Sequence, residues 1–275
     1  MSNLVSTEWL AAHLNDAGLV ILDATWHLPT LKRHAREEFM AAHIPGARFF
    51  DLDKTSDQNT TLPHMLPKAE HFAALMGALG IGDDTHVIAY DSYGLFSAAR
   101  CWWMFKVFGH EQVSVLDGGL KKWLAEGRAV SSGASPPAKP THFNAALNST
   151  MVRNMQQVAD SKVQVADARS PARFRGEEPE PRPGVRPGHM QGAFNVHYAG
   201  MVNENGTLKP ADGLREKFNA NGVDLDKPII TSCGSGVTAA ILSLALTELG
   251  VQDHALYDGS WAQWGASERP IAIGT

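Results

Sequence analysis

The sequence predicts an α/β protein with two similar domains, each built on a parallel β-sheet with helices on both faces. Two observations predict this fold. Short apolar segments alternate with amphipathic segments along the 275 residues, and strands that alternate with helices in this way form parallel sheets. In addition, one ordered series of motifs occurs twice, which indicates that the chain contains an internal duplication.

Four motifs appear in the same order in each half of the chain. A short apolar strand ends at Asp23 in the first half and at Asp167 in the second, and a His-x-x-Gly turn follows at His43 and at His189. The spacing from aspartate to histidine is 20 residues (23 to 43) in the first half and 22 (167 to 189) in the second. A second apolar strand follows, and each series closes on an Asp-Gly pair and a tryptophan: Asp117 with Trp123, and Asp258 with Trp264.

The duplication sets the predicted domain boundaries. The segment from 129 to about 150 is rich in serine, proline and alanine, a composition typical of a surface linker. We therefore predict an N-terminal domain over residues 1–130, a linker over 131–149 and a C-terminal domain over 150–275. Within the domains, hydrophobic periodicity predicts helices over 7–14, 72–79, 97–108 and 239–249, and strands over 19–22, 86–90, 113–116 and 228–232.

Composition argues against several classes of partner. The chain has 24 lysines and arginines against 29 aspartates and glutamates. It lacks the basic stripe with interleaved aromatic residues that would predict a nucleic-acid partner. Apolar runs are much shorter than the roughly 20 residues of a membrane span. The N-terminus lacks the pattern of a secretory signal, so we expect no membrane association and a cytoplasmic location. The two cysteines, Cys101 and Cys233, lie in dissimilar sequence, which does not suggest a disulfide.

The duplication also separates structural features from functional ones. Residues that recur in both halves are expected to serve the fold, because two copies rarely both retain an active site. The recurring histidines are therefore predicted to be turn residues that hydrogen-bond to the backbone. The recurring aspartates are predicted to bond to backbone at strand ends, and the tryptophans to pack in the core. These residues are His43, His189, Asp23, Asp167, Trp123 and Trp264.

The informative difference lies after the second apolar strand of each half. Asp91 follows this strand in the first half, whereas Cys233 follows it in the second. Gly234 and Gly236 allow the backbone after Cys233 to curl so that successive N–H groups point inward. A helix that begins just beyond adds the positive end of its dipole, and such a cradle lowers the pKa of a thiol and makes it a nucleophile.

The alternative for each cysteine is a small buried side chain without chemistry. For Cys233 the glycine loop and the contrast with Asp91 favour the nucleophile. Cys101 lies in an apolar helical segment between arginine and two tryptophans, and there we predict an unreactive core residue.

Two other cysteine chemistries are disfavoured. Tyrosine phosphatases also carry a cysteine in a strand–loop–helix cradle, but they need an arginine six positions later to bind phosphoryl oxygens. Position 239 here is alanine. The chain has no Cys-x-x-Cys pair or comparable Cys/His spacing, so no metal site is predicted.

Together these motifs resemble the tandem rhodanese family over about residues 7 to 270. The loop that begins at Cys233 is similar to the loop of members that use 3-mercaptopyruvate as sulfur donor. The resemblance implies two rhodanese-like domains and a catalytically silent N-terminal domain, in agreement with Asp91 standing in the place of the cysteine.

The resemblance also implies roles for individual residues. Arg173 and Arg182 match arginines that bind the carboxylate and keto oxygen of the donor, a role that suits the bidentate guanidinium group; the alternative is a solvated, charge-balanced loop. Asp53, His64 and Ser235 match a set that relays a proton during attack on the donor. The remaining predicted substrate contacts are loop residues: Gly234, Gly236, Val237 and Thr238.

The implied reaction needs no cofactor, because sulfur is carried as a persulfide on Cys233. Expected acceptors are thioredoxin, small thiols or, in vitro, cyanide, and a monomer is expected because two similar halves can pack on each other. One alternative is a thiosulfate sulfurtransferase on the same fold. Such enzymes carry basic residues directly after the cysteine, where this chain has Gly234 and Ser235. The other alternative is a non-catalytic module for protein contact, which would have no need of a reactive thiol.

Overall fold

The computed structural model describes residues 2–135 and 137–274. Pro136, in the predicted linker, lies outside the described residues, as do Met1 and Thr275 at the ends of the predicted domains. The chain divides into two units. Unit 1 contains the described residues up to Gln58, Pro67–Asn148 and Asn203–Leu208, and unit 2 contains Asn59–Leu66, Ser149–Val202 and the residues from Lys209 onward.

Strands and helices alternate through both units. The strands are β1 (Leu4–Val5), β2 (Leu19–Asp23), β3 (Arg48–Phe49), β4 (His86–Tyr90), β5 (Val113–Leu116), β6 (Val152–Arg153), β7 (Gln164–Asp167), β8 (His189–Met190), β9 (Phe194–Asn195), β10 (Ile229–Ser232), β11 (His254–Tyr257) and β12 (Ile271–Ala272). The α-helices are α1 (Thr7–His13), α2 (Ala35–Ala41), α3 (Leu52–Thr55), α4 (Ala69–Ala78), α5 (Ala98–Val107), α6 (Gly119–Ala125), α7 (Met155–Asp160), α8 (Pro171–Arg175), α9 (Ala211–Ala220), α10 (Ala239–Glu248) and α11 (Ser260–Trp264).

Unit 1 is built on a five-stranded parallel sheet with the order β1-β5-β4-β2-β3. Because side chains alternate along a strand, each strand supplies both faces. One face carries Ile21, Ile88 and Tyr90, which pack with apolar residues of α1, α2 and α6 such as Trp123. Helix α5 packs on strands β4 and β5. Its Phe105 contacts Phe72 of α4 edge-to-face.

Unit 2 repeats this architecture with the order β6-β11-β10-β7-β9, again entirely parallel. Val165, Ile230 and Tyr257 pack with α7 and α11, including the buried Trp264. The central strand, β10, leads directly into the Cys233 loop. The two parallel sheets confirm the predicted α/β fold, and the burial of Trp123 and Trp264 confirms that these residues serve the core. An antiparallel pair of two-residue strands, β8 with β12, is too short for sequence periodicity to reveal.

Most predicted elements agree with the structure to within one to three residues at each end. Strands β4 and β5 have the predicted bounds, and α5 and α10 end one residue before theirs. Helix α1 begins at the predicted residue, Thr7, because the Ser6 hydroxyl accepts the Trp9 N–H as the N-cap, and it ends one residue before the prediction.

The recurring histidines and aspartates perform the same structural roles in each unit. His43 Nδ1 lies 2.7 Å from the Phe39 carbonyl oxygen, and the His43 imidazole stacks on the Phe39 ring. His189 repeats both contacts with Phe174, at 2.9 Å. Asp23 accepts the Thr25 N–H, and Asp167 accepts the Arg169 N–H. The predicted backbone-bonding roles of both pairs are therefore confirmed.

The described part of the predicted linker packs on unit 1 as far as Asn148. Ser131 forms an isolated antiparallel bridge with His43. Further on, the Thr141 N–H donates to the Gly77 carbonyl and the Asn148 N–H to the Val107 carbonyl. None of the helices in the described chain combines the length and the apolar character needed to cross a bilayer.

Candidate active site

The Cys233 loop connects β10 to α10 in the middle of the unit 2 sheet. The carboxyl ends of adjacent parallel strands meet here, the usual location of ligand sites in α/β sheets. Cys233 is only 1% exposed and is a free thiol. Gly236 adopts a left-handed backbone with φ of +78°, which the turn requires and glycine tolerates. Val237 is buried, and Thr238 is the half-buried residue that precedes α10.

The loop's carbonyl groups are anchored by α11. The Trp261 N–H donates to the Cys233 carbonyl, and the Ala262 N–H donates to the Gly234 carbonyl, both at 2.9 Å. In a trans peptide the N–H points opposite to the carbonyl. The N–H groups of Gly234 and Ser235 therefore point away from α11, as the predicted cradle requires.

The matching loop of unit 1 shows what such a cradle binds. Asp91 stands at the position of Cys233, and the fourth residue of each loop is a left-handed glycine, Gly94 or Gly236. The Asp91 carboxylate is fully buried and accepts the N–H groups of Tyr93 at 2.9 Å, Phe96 at 2.7 Å and Ala98 at 2.8 Å.

These amides stabilise the Asp91 carboxylate, although burial is the larger influence and raises its pKa. In unit 2 the corresponding stretch runs from Ser235 to the first turn of α10, which begins at Ala239. The repeat thus contains its own example of a carboxyl group bound by the amides of this turn.

A segment from the N-terminal half of the sequence completes this site. Residues Asn59–Leu66 belong to unit 2, and His64 Nδ1 lies 3.0 Å from Ser235 Oγ. Both side chains are 6% exposed. The Leu66 N–H donates to the Asp258 carboxylate at 2.8 Å, which ties the segment to unit 2. His64 has a φ of +58°, a strained conformation for a non-glycine residue that is often associated with function.

Arg173 lies beside the same loop from another direction. A Cβ atom at Gly234 would lie 3.0 Å from Nη2 of Arg173, so the glycine is needed for the guanidinium to come this close. Glu180 accepts Nη2 of Arg173 at 2.6 Å and Nε at 3.3 Å. Within the described structure these contacts leave Nη1 for a ligand.

Glu180 belongs to a buried network that fixes Arg173. It is also 2.9 Å from Nη1 of Arg169, whose guanidinium forms a second ion pair, with Asp167 at 2.7 Å. Arg169 in addition lies 4.4 Å above the ring of Trp261. Buried ion pairs are stable only when their remaining polar atoms also have partners, and here Arg169 and Glu180 have them. This chain of contacts holds Arg173 rigidly at the edge of the Cys233 loop.

The family model of the rhodanese-like domain matches this chain twice, over residues 6–126 and again over 151–267. The chain belongs to the rhodanese family. A human relative named 3-mercaptopyruvate sulfurtransferase is 46% identical over 277 residues, covering 97% of this chain and 93% of the relative.

An Arabidopsis thaliana relative, named thiosulfate/3-mercaptopyruvate sulfurtransferase 1, mitochondrial, is also 46% identical, over 95% of this chain and 75% of its own length. The crystal structure of SseA from Escherichia coli, described as a 3-mercaptopyruvate sulfotransferase, matches with a TM-score of 0.87 and 44% identity. The match covers 95% of this chain and 99% of that chain.

The other predicted site residues of this rhodanese, Arg182 and Asp53, lie outside the Cys233 loop. Arg182 lies in the irregular segment between α8 and β8, two residues beyond Glu180, and is half-buried. Asp53 lies in α3 of unit 1, where its carboxylate accepts the Trp26 indole N–H at 3.2 Å. The roles of Arg182 and Asp53 stay predictions. Where the chain is described, no group of three or more His, Cys, Asp or Glu side chains could hold a metal ion.

Several residues at the site were not predicted from the sequence. Arg169 and Glu180 orient Arg173, Asp258 anchors the His64 segment, and the Ser260 hydroxyl accepts the Cys233 N–H at 3.2 Å. Comparison of the repeats offered a signal for the last of these, because serine at 260 replaces the glycine found at position 119. The buried ion pairs depend on loop geometry that no local pattern specifies. The remaining cysteine, Cys101, is fully buried, and burial raises its pKa well above the usual range. Its predicted place in the core is confirmed, and its lack of reactivity stays a prediction.

Proposed function

We propose that this rhodanese is a 3-mercaptopyruvate sulfurtransferase that carries sulfur as a persulfide on Cys233 and releases pyruvate. One observation carries the proposal: the Arg173 guanidinium lies against Gly234, next to a cysteine in an amide-lined turn. A nucleophile beside a rigid guanidinium suits a donor that combines sulfur with a carboxylate. The names of the human and plant relatives support the same donor.

The first half-reaction transfers sulfur to the enzyme. The Cys233 thiolate attacks the donor sulfur, the new S–S bond forms and the carbon–sulfur bond breaks with its electron pair passing to the carbon side as the pyruvate enolate. The proton of the donor thiol leaves, and a proton is added to the enolate carbon to give pyruvate. Arg173 and Arg182 bind the carboxylate and stabilise the developing enolate charge.

A proton relay is proposed for Ser235, His64 and Asp53. Ser235 lies on the loop itself, and its Oγ is within hydrogen-bond distance of His64 Nδ1, so it can exchange a proton with the imidazole. The family resemblance adds Asp53 to this relay, and we propose that its carboxylate takes part in the proton transfer. The relay takes the proton from the donor thiol and returns it to the enolate carbon.

The persulfide is proposed to rest among the loop amides. The Asp91 carboxylate, which occupies the matching turn of unit 1, supports this placement because it accepts three backbone N–H groups of that turn. In the second half-reaction an acceptor attacks the outer sulfur and regenerates the Cys233 thiolate. The acceptor is a thiolate, from thioredoxin or a small thiol, or the cyanide ion. Release of pyruvate before the acceptor binds predicts ping-pong kinetics, which appear as parallel lines in double-reciprocal plots.

We also propose a domain organisation for the chain and a cellular location for the protein. We propose that the domain over residues 1–130 is catalytically silent, because Asp91 replaces the nucleophile, and that 131–149 links it to a catalytic domain over 150–275. Reduced thiol acceptors and two free cysteines suit a reducing compartment, so we propose a cytoplasmic location and a monomer.

The experiment that tests the donor compares two assays on the purified protein. Pyruvate release from 3-mercaptopyruvate with a thiol acceptor is measured beside thiocyanate formation from thiosulfate and cyanide. We expect the larger kcat/KM with 3-mercaptopyruvate, because Gly234 and Ser235 add no positive charge for the thiosulfate dianion. A larger value with thiosulfate would favour the alternative donor that the plant relative's name includes. Turnover of neither would favour the non-catalytic module.

A further prediction concerns the anchor of the His64 segment. Asp258→Ala removes the acceptor of the Leu66 N–H, so His64 is held less well against Ser235 and kcat should fall about tenfold or more, as small misplacements do. Asp258→Asn retains an acceptor oxygen and should restore most of the rate. The matched control is Asp117→Ala, because Asp117 accepts the Leu208 N–H at 2.8 Å in unit 1.

Steady-state kinetics of the three variants make this comparison. Equal loss in Asp258→Ala and Asp117→Ala would mean that both aspartates serve only stability, and the anchoring role would then be wrong.

A further inference from the structure

We infer that Ser260 is a positioning residue that fixes the direction of the Cys233 side chain through a hydrogen bond to the Cys233 backbone. The Ser260 hydroxyl donates to the Tyr257 carbonyl at 2.9 Å, so one of its lone pairs is left to accept the Cys233 N–H at 3.2 Å. The Trp261 N–H holds the Cys233 carbonyl. The peptide groups on both sides of the Cys233 Cα are thereby anchored, and the direction of its Cα–Cβ bond is set.

The backbone of Ser260 is strained. Its φ is +47° and the residue is completely buried. For a residue with a Cβ atom this left-handed conformation is unfavourable and usually occupied by glycine. Among the described residues only Lys32, His64 and Ser260 combine a side chain with a positive φ. His64 and Ser260 both contact the Cys233 loop, and such strain is concentrated at functional sites.

The silent repeat shows that the fold itself does not need this serine. Gly119 occupies the position of Ser260 in unit 1, with a φ of +53°. The backbone contact that follows is the same in both units, because the Leu120 N–H donates to the Asp91 carbonyl at 3.0 Å and the Trp261 N–H to the Cys233 carbonyl at 2.9 Å. A Cβ atom at Gly119 would lie 2.5 Å from the Asp91 carbonyl oxygen.

The turn therefore forms with Gly119 in unit 1, which has no nucleophile. In unit 2, which has Cys233, the same turn accommodates a strained serine. The serine hydroxyl makes two contacts that glycine cannot make, one to the Tyr257 carbonyl and one to the Cys233 N–H, and the second of these reaches the loop of the nucleophile. We conclude that its purpose is to direct the sulfur toward the loop amides. This inference rests on the proposed function for its kinetic readout, whereas its alkylation readout is independent of that function.

The test compares Ser260→Ala and Ser260→Gly with the wild-type chain. Both variants lose the hydroxyl, but only glycine relieves the backbone strain, so the melting temperature should be higher in the glycine variant than in the alanine variant. We expect kcat for pyruvate release to fall about tenfold or more in both, with no recovery on going from alanine to glycine. A role in stability alone would make kcat recover with the melting temperature, and that result would overturn the inference.

The second readout is the rate of alkylation of Cys233 by iodoacetamide at one fixed pH, followed by peptide mass spectrometry. We expect this rate to fall several-fold in both variants, because a sulfur that is less well directed toward the amides is a weaker nucleophile. The control is Ser243→Ala, which removes a buried hydroxyl bonded to Thr231 and should leave the Cys233 alkylation rate unchanged.

The outcomes of this readout separate the two proposals. If the wild-type chain releases no pyruvate but the alkylation rate still falls in the variants, positioning by Ser260 stands and the proposed function fails. If the wild-type chain is active and neither kcat nor the alkylation rate changes in the variants, the positioning role is wrong.

Discussion

Cys233→Ser is expected to lower the rate of pyruvate release by about 10⁴-fold, the order of loss when a covalent nucleophile is removed. The serine hydroxyl fits the buried site but does not ionise near neutral pH, and it cannot form a persulfide. The chain should retain its fold, because the loop contacts from Trp261 and Ala262 use backbone atoms of residues 233 and 234. Single-turnover release of pyruvate, measured with a coupled dehydrogenase, gives the rate without an acceptor.

The matched control is Cys101→Ala. Cys101 is fully buried in α5 of unit 1, so its loss should lower stability by about 1–2 kcal/mol through the cavity. Its pyruvate release should remain at the wild-type rate below the unfolding temperature. Comparable loss of activity in the two variants would show that the assay reports folding and not the nucleophile.

Arg173→Met is expected to give the second large effect, a fall in kcat/KM for 3-mercaptopyruvate of about 10- to 100-fold. Removing a hydrogen-bonded charge partner costs about 1.5–3 kcal/mol, and methionine retains much of the aliphatic length of arginine. Glu180 keeps its ion pair with Arg169 in this variant. Because Arg173 is proposed to bind the donor carboxylate, the loss should be smaller with thiosulfate, which has none.

The control is Arg175→Met, two residues later in the same helix. Arg175 pairs with the exposed Glu177, and exposed pairs contribute little to stability. Its kcat/KM should equal that of the wild type. If both arginine variants lost activity equally, or if Arg173→Met were as active as wild type, donor binding by Arg173 would be wrong.

Much of the fold could be predicted because its signals are local. The strand over 113–116 and the start of α10 follow directly from apolar runs and their flanking residues. The repeat then supplied the parallel-sheet topology, since each half carries the same order of elements. It also identified Cys233 as the candidate nucleophile, because the contrast with Asp91 needs no three-dimensional information.

The rest of the site does not follow from local sequence patterns, because it depends on where loops lie. His64, Ser235 and Arg173 were predicted only through the family resemblance. Nothing local in residues 59–66 states that they belong to unit 2, and only that assignment brings His64 within reach of Ser235. The Asp167–Arg169–Glu180–Arg173 network likewise joins a strand end to an irregular loop. Such contacts are long-range, and charge patterns alone do not distinguish them from solvated surface pairs.

The measurement that tests the central claim most directly is the intact mass of the protein after treatment with 3-mercaptopyruvate and no acceptor. We expect a gain of one sulfur, about 32 Da, located on the Cys233 peptide, because a cradled thiolate takes up sulfur and holds it. Dithiothreitol or thioredoxin should remove the added mass. Pyruvate release with no added mass, or added sulfur on Cys101 in place of Cys233, would contradict sulfur transfer through Cys233.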